Sequence, residues 1–134
     1  MFFSIDFGIK KIGLSIGQRI TKTISLLKPL KINNSKINWF KIKYLLKYWN
    51  PNLIIIGLPI NNNKNRLFFF LILKFSIIFN KKYNIKILFH NEFLSTLEAK
   101  NFFLIYKKKF KINNIYIDSI SSKLILKSWI IDNL

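Results

Sequence analysis

The sequence predicts one α/β domain over residues 1–134, built on a mixed central sheet that opens with an antiparallel meander and carries flanking helices. Three observations predict it. Three short apolar segments separated by turn residues come first. Two later apolar runs then alternate with segments of helical spacing, the layout of strand–helix crossovers. The chain is also 51% hydrophobic and 16% aromatic, enough to fill one core at a length that fits one domain.

Each element has its own signal. Phe2–Phe7 is a short apolar run, as a buried strand requires. Gly8 to Lys11 turns the chain, and Ile12–Ile16 alternates Ile12, Leu14 and Ile16 with Gly13 and Ser15, a strand paired to the first. A second turn at Gly17-Gln18-Arg19 leads into a third strand, Ile20–Leu27, and Lys31–Ser35 is a polar loop. Ile37, Phe40, Tyr44, Leu45 and Tyr48 recur at helical spacing. Pro51 closes that helix, because the residue before a proline is pushed out of the helical region. Leu53–Gly57, bounded by Pro51 and Pro59, suits a strand buried on both faces. A polar loop, Asn61–Asn65, precedes a hydrophobic helix, Leu67–Phe79, expected to be buried. Ile85–Phe89 is the last strand and ends at His90. Ser95-Thr-Leu-Glu98 is a capping box opening a helix to about Tyr106. Lys107–Asn114 is a basic loop, and a final helix starts near Asp118 and turns Ile120, Leu124, Trp129 and Ile130 inward. The order β-β-β-α-β-α-β-α-α is that of the ribonuclease H-like fold, in which the first strand is central.

Composition excludes several chemistries. Without cysteine there is no disulfide framework, thiolate metal site or cysteine nucleophile, and a reducing, intracellular compartment is the simplest setting. One histidine excludes a multi-histidine metal centre. Leu67–Phe79 falls short of the roughly 20 apolar residues of a membrane span, and the N-terminus lacks the charge and apolar pattern of a signal peptide. Membrane association is therefore not expected. The formal charge is +18, from 23 Lys and Arg against 5 Asp and Glu, which favours a polyanionic partner. Usage dominated by Phe, Ile, Lys and Asn is also what an AT-rich genome imposes, so the charge alone does not assign the partner.

The positions of the acids say more. Asp6 interrupts an apolar strand, Glu92 follows the end of a strand, and Asp118 stands where a helix begins. Carboxylates converging from element ends are how a protein holds Mg²⁺ or Mn²⁺, and a basic body around them would bring phosphates to the metal. The structural alternatives are an N-cap for Asp118 and a solvated loop acid for Glu92. Glu98 has its capping role, and Asp132 is expected to be solvated near the C-terminus. His90 is expected to pack rather than to react. An acid buried at Asp6 needs compensation, and a metal supplies it.

Four stretches carry a resemblance: Ile5-Asp-Phe-Gly-Ile-Lys-Lys-Ile-Gly-Leu-Ser-Ile-Gly-Gln18, Ile54-Ile-Ile-Gly-Leu-Pro-Ile-Asn61, His90-Asn-Glu-Phe-Leu-Ser-Thr-Leu-Glu-Ala99 and Ile117-Asp-Ser-Ile-Ser-Ser122. In this order and spacing the chain resembles the YqgF/RuvX family of pre-16S rRNA nucleases, relatives of Holliday junction resolvases, over nearly its whole length. The resemblance implies a ribonuclease H-like fold, catalytic and metal-binding acids at Asp6, Glu92 and Asp118, and 5′-end processing of the 16S rRNA precursor in the bacterial cytoplasm. The chain departs from the family's usual pattern at Asn91, usually an acid, and at Phe93, usually Arg. It departs again at Asn62-Asn63-Lys64, where Asp-Gly is usual, and at Ser122, where Ala is usual.

The expected function is thus metal-dependent phosphodiester hydrolysis on nucleic acid, by a monomer or weak homodimer. Two rivals share the binding surface: a resolvase of branched DNA, and a non-catalytic RNA-binding ribosome assembly factor. Sugar and acetate kinases also open on Asp, Gly and a hairpin, but they need further glycine-rich loops and a second domain that this chain has no room for.

Overall fold

The computed structural model describes residues 1–59, 66–92, 105, 116 and 119–134. Five strands, β1 (Phe2–Phe7), β2 (Lys11–Gly17), β3 (Ile24–Lys31), β4 (Leu53–Pro59) and β5 (Lys86–Glu92), form one sheet in the order β3-β2-β1-β4-β5. β1 is central. It pairs antiparallel with β2 and parallel with β4, and β5 is parallel to β4. Helices α1 (Trp39–Trp49), α2 (Arg66–Tyr83) and α3 (Ile120–Asn133) complete the described elements. This is the mixed sheet with an antiparallel meander that the sequence predicts.

The sheet is covered on both faces, and strand alternation decides which side chains go where. Phe3, Ile5 and Phe7 point into one core with Ile12, Leu14, Ile54 and Ile56, shared with Ile42 and Leu46 of α1 and Ile72, Phe75 and Phe79 of α2. Phe2 and Ile55 point the other way, into a core with Ile125, Leu126, Trp129 and Ile130 of α3. The final helix buries Ile120, Leu124, Trp129 and Ile130, as expected. β4 is buried on both faces, with Ile54, Ile55 and Ile56 at 0% exposure, as a strand between two helical layers must be.

Two expectations are corrected. The third strand starts at Ile24, not Ile20. The N–H of Gln18 closes onto the carbonyl of Thr23 at 3.0 Å, Lys22 takes a left-handed φ of 55°, and Ile20 is left in solvent. The strand then continues to Lys31, past Pro29, where the register against β2 shifts between Ile12 and Leu14.

α1 is where expected, capped by the Asn38 side chain accepting from the Lys41 N–H at 3.2 Å, and its apolar positions divide between two faces. Its buried residues are Ile42 and Leu46, whereas Phe40, Tyr44 and Tyr48 lie 81%, 63% and 68% exposed. Both stripes satisfy a 3.6-residue period, and the aliphatic one fits the sheet. α2 is longer than expected and only half buried: Ile72, Phe75, Ser76 and Phe79 face the core, while Leu67, Phe70 and Ile77 are exposed. Among the described residues no helix is long and apolar enough to cross a membrane. The expected helix from Ser95 to Tyr106 and the basic loop after it lie outside the described residues, apart from Ile105, as does the loop Asn61–Asn65.

Candidate functional site

The site is built on the α3 face of the sheet, at the end where β1, β4 and β5 finish. Asp6 follows Ile5 on β1. Since Ser4 and Phe2 face α3, alternation puts Asp6 on that face too, and it is half-buried. Its cross-strand partner on β2 is Gly13. On the other side, Ile5 pairs with Ile56, so Gly57 stands level with Asp6. The carboxylate-bearing residue is thus flanked on both adjacent strands by positions without side chains. Farther out, Gly57 pairs with His90, and Pro59 with Glu92. Glu92 shares the alternate set of positions that includes Leu88 and His90. β5 lies two strands from β1, roughly 10 Å at ordinary strand spacing. The side chain of Glu92 lies outside the described residues.

Asp118 also lies outside them, but its chain neighbour is firmly placed. Ser119 is fully buried, and its hydroxyl accepts the backbone N–H of Leu14 at 3.1 Å. Leu14 is the strand partner of Ile5. At Leu14 the β2–β3 ladder is shifted by the irregularity around Pro29, so an N–H that regular pairing would use can serve the helix instead. Two further serines secure the first turn of α3. Ser122 donates to the Ser119 carbonyl at 2.6 Å, and Ser4 on β1 donates to the Ser122 carbonyl at 2.8 Å. Ser122, where the family usually has Ala, therefore closes a buried hydrogen bond. Replacing Ser119 by Ala should leave the buried Leu14 N–H without its acceptor and cost about 1–3 kcal/mol, measurable by urea unfolding.

The structure thus brings Asp6, the end of β5 and the start of α3 to one end of one face. Among the described residues no three acids, histidines or cysteines cluster; two of the three expected ligands have side chains outside that set. In the sequence the serine network shows only as the run Ser119-Ile-Ser-Ser122 at a helix start.

His90 packs, as expected. Its Nε2 lies 2.9 Å from Ser128 Oγ and 3.8 Å from Asp132 Oδ2. Both contacts use one ring nitrogen, so this is not a serine–histidine–aspartate relay, which needs one partner on each nitrogen. The contacts tie β5 to α3. Lys10 and Lys11 are exposed in the β1–β2 turn, and the Lys10 carbonyl accepts from Ile32 N–H at 2.8 Å. Gly8 makes this turn possible: a Cβ there would stand 2.6 Å from the Lys11 carbonyl oxygen.

A family model described as RuvX, Holliday junction resolvase, matches residues 1–132. The chain belongs to the RuvX family. Among curated relatives, the "Putative pre-16S rRNA nuclease" of Blochmanniella floridana is 36% identical over 135 residues, covering 99% of this chain and 95% of the relative. The protein of the same name from Buchnera aphidicola subsp. Acyrthosiphon pisum is 40% identical over 136 residues, covering 94% of each. In three dimensions this RuvX chain is similar to the fowlpox virus resolvase in complex with Holliday junction DNA, at a TM-score of 0.64 and 18% identity over 99% of this chain and 98% of that one. It is also similar to Thermus thermophilus RuvC in complex with its junction substrate, at 0.61 and 12% over 98% and 94%. At those identities the structural likeness establishes the fold, which the ribonuclease H-like order of elements predicts.

Proposed function

We propose that this RuvX protein is a metal-dependent nuclease that trims the 5′ end of the 16S rRNA precursor in the cytoplasm, with Asp6, Glu92 and Asp118 holding Mg²⁺ or Mn²⁺. The observation that carries the reading is Asp6: a half-buried acid on the central strand, between two glycine positions, at the end where β5 finishes and α3 starts. The names of the relatives at 36% and 40% identity support the RNA substrate.

The donor chemistry fits the ion. The set is oxygen only, drawn from three separate elements, which suits hard divalent cations and excludes a thiolate or multi-histidine centre. When bound, such an ion lowers the pKa of a coordinated water and stabilises the leaving oxygen of a phosphodiester. The protein's own part is placement. β1 holds Asp6 rigidly at the centre of the sheet. The positions level with it on the neighbouring strands, Gly13 and Gly57, carry no side chains. The Ser4–Ser122–Ser119–Leu14 network fixes Ser119, the residue after Asp118. The lysine-rich surface draws in the substrate without reading bases, since lysine is a point charge rather than a two-pronged donor. Binding should therefore fall steeply with salt.

The test is a substrate panel: precursor 16S rRNA, unstructured single-stranded RNA and a four-way DNA junction, each with Mg²⁺, Mn²⁺ or a chelator. Metal-dependent cutting of the precursor near its 5′ end is the expected result. Preferential cutting of the junction by a dimer would favour resolvase activity, the reading the family description supports. Metal-independent binding with no cutting of any substrate would make the chain an assembly factor.

A further inference from the structure

The α1 helix leaves a surface that neither its packing nor the site above accounts for. Phe40, Tyr44 and Tyr48 fall on successive turns of one face, each more than 60% exposed. At 1.5 Å per residue the stripe is about 12 Å long. Single exposed apolar residues are ordinary on a protein surface; a continuous aromatic stripe is not. Its borders are lysines. Successive residues turn by about 100°, which places Lys43 and Lys47 along one edge and Lys41 along the other. All three are exposed, and α1, Trp39–Trp49, contains no acid. The rings are also steadied: Tyr44 and Tyr48 lie 6.4 Å apart with planes only 23° from parallel, and Trp49 sits edge-on to Tyr48 at 5.0 Å. The stripe is on the opposite side of the sheet from Asp6, because Ile42 and Leu46 pack against Phe3, Ile5 and Phe7.

We propose that this face of α1 is a binding platform for single-stranded RNA, with Phe40, Tyr44 and Tyr48 stacking on unpaired bases while Lys41, Lys43 and Lys47 neutralise the phosphates between them. Aromatic faces in a basic, acid-free setting are how proteins hold single strands without reading sequence. A duplex offers no free base faces to the stripe. A protein partner bound through apolar contact alone would not require lysines along both edges. The platform would hold a single-stranded segment remote from the cutting site. The choice of RNA rests on the proposed function; the stacking chemistry does not.

The experiment is run in an Asp6→Asn background without divalent ions, so binding is read independently of cleavage. A short fluorescein-labelled oligouridylate is titrated by anisotropy, and tyrosine fluorescence is followed alongside. The triple variant Phe40→Ala/Tyr44→Ala/Tyr48→Ala should bind about tenfold or more weakly with unchanged circular dichroism, since all three side chains are exposed. The triple variant Phe40→Tyr/Tyr44→Phe/Tyr48→Phe keeps the ring faces and should bind as the parent does. Lys43→Gln/Lys47→Gln should reduce the slope of log affinity against log salt by about 1.4, at roughly 0.7 for each phosphate that is no longer neutralised. The proposal is overturned if the triple alanine variant binds within about twofold of the parent. It is equally overturned if a duplex of matching length loses as much affinity as the single strand, or if the variant instead abolishes self-association in sedimentation while RNA affinity stands. Failure here leaves the cleavage result untouched, and loss of the cleavage reading leaves this binding result interpretable.

Discussion

Asp6→Asn is expected to lower metal-dependent cleavage about 10³-fold while leaving the fold and nucleic-acid binding in place. The substitution keeps size and shape but removes the charge that a divalent cation needs. Charge stabilisation by a catalytic metal is worth several kcal/mol, and every 1.4 kcal/mol is a tenfold change in rate. Asp6 is half-buried on the central strand, with Gly13 opposite and Gly57 alongside. Two controls separate chemistry from collapse. On the proposed site, thermal unfolding of the apoprotein should be unchanged or slightly raised, because converging carboxylates repel one another when no metal is bound. Added Mn²⁺ should raise the melting temperature of the parent, by mass action on the folded state, and raise that of the variant far less. Cleavage at the parental rate by Asp6→Asn would end the metal-site proposal. Matching losses in Glu92→Gln and Asp118→Asn would show that the three act as one site. Intact activity in either would remove that residue from it.

How much of this was legible beforehand differs by element, for physical reasons. β1, β2 and β4 could be read closely because short apolar runs bounded by Gly or Pro leave few other conformations; β5 has no such boundary after Phe89 and runs on to Glu92. The burial of Ile120, Leu124, Trp129 and Ile130 on α3 could be read, but not that of Ser122, Ile125 and Leu126, which leaves the helix buried round most of its circumference. The buried face of α1 could not be read. Apolar residues cover most of its circumference, so the period gives a helix but not its rotation. That was settled by how Ile42 and Leu46 fit against β1, a tertiary matter. The start of β3 was misplaced because Ile20 has strong strand preference in isolation, whereas the turn of Gln18–Thr23 overrides it. The acids could be singled out because they are so few. The hydrogen bonds that seat α3, donated by Ser4 and Ser122 and accepted by the Ser119 hydroxyl, could not, because serine is compatible with loop, cap and core alike and only the close approach of α3 to β1–β2 decides among these.

That close approach supplies the second large effect. Leu126 is fully buried against Gly17, where an added Cβ would stand 2.8 Å from Leu126 Cδ2. Leu126→Ala should destabilise by about 2–5 kcal/mol, combining lost burial with the cavity left behind. Gly17→Ala should cost about 1–3 kcal/mol by overpacking, as Leu126 has no free space to retreat into. The double variant is the informative one. With the leucine truncated, the new methyl at 17 occupies part of the vacated volume, so the combined loss should fall short of the sum by about 1 kcal/mol or more. Urea unfolding of the four proteins measures this directly. Strict additivity would mean that the contact does not seat α3. On the proposed metal site the consequence reaches further, because Ser119 caps α3 and adjoins Asp118 in the chain. Leu126→Ala, although seven residues along the chain from Ser119, should then weaken Mn²⁺-dependent stabilisation as well as the fold, and the double variant should recover part of both. Recovery of stability without recovery of the metal response would show that the fit of Gly17 to Leu126 serves the core alone.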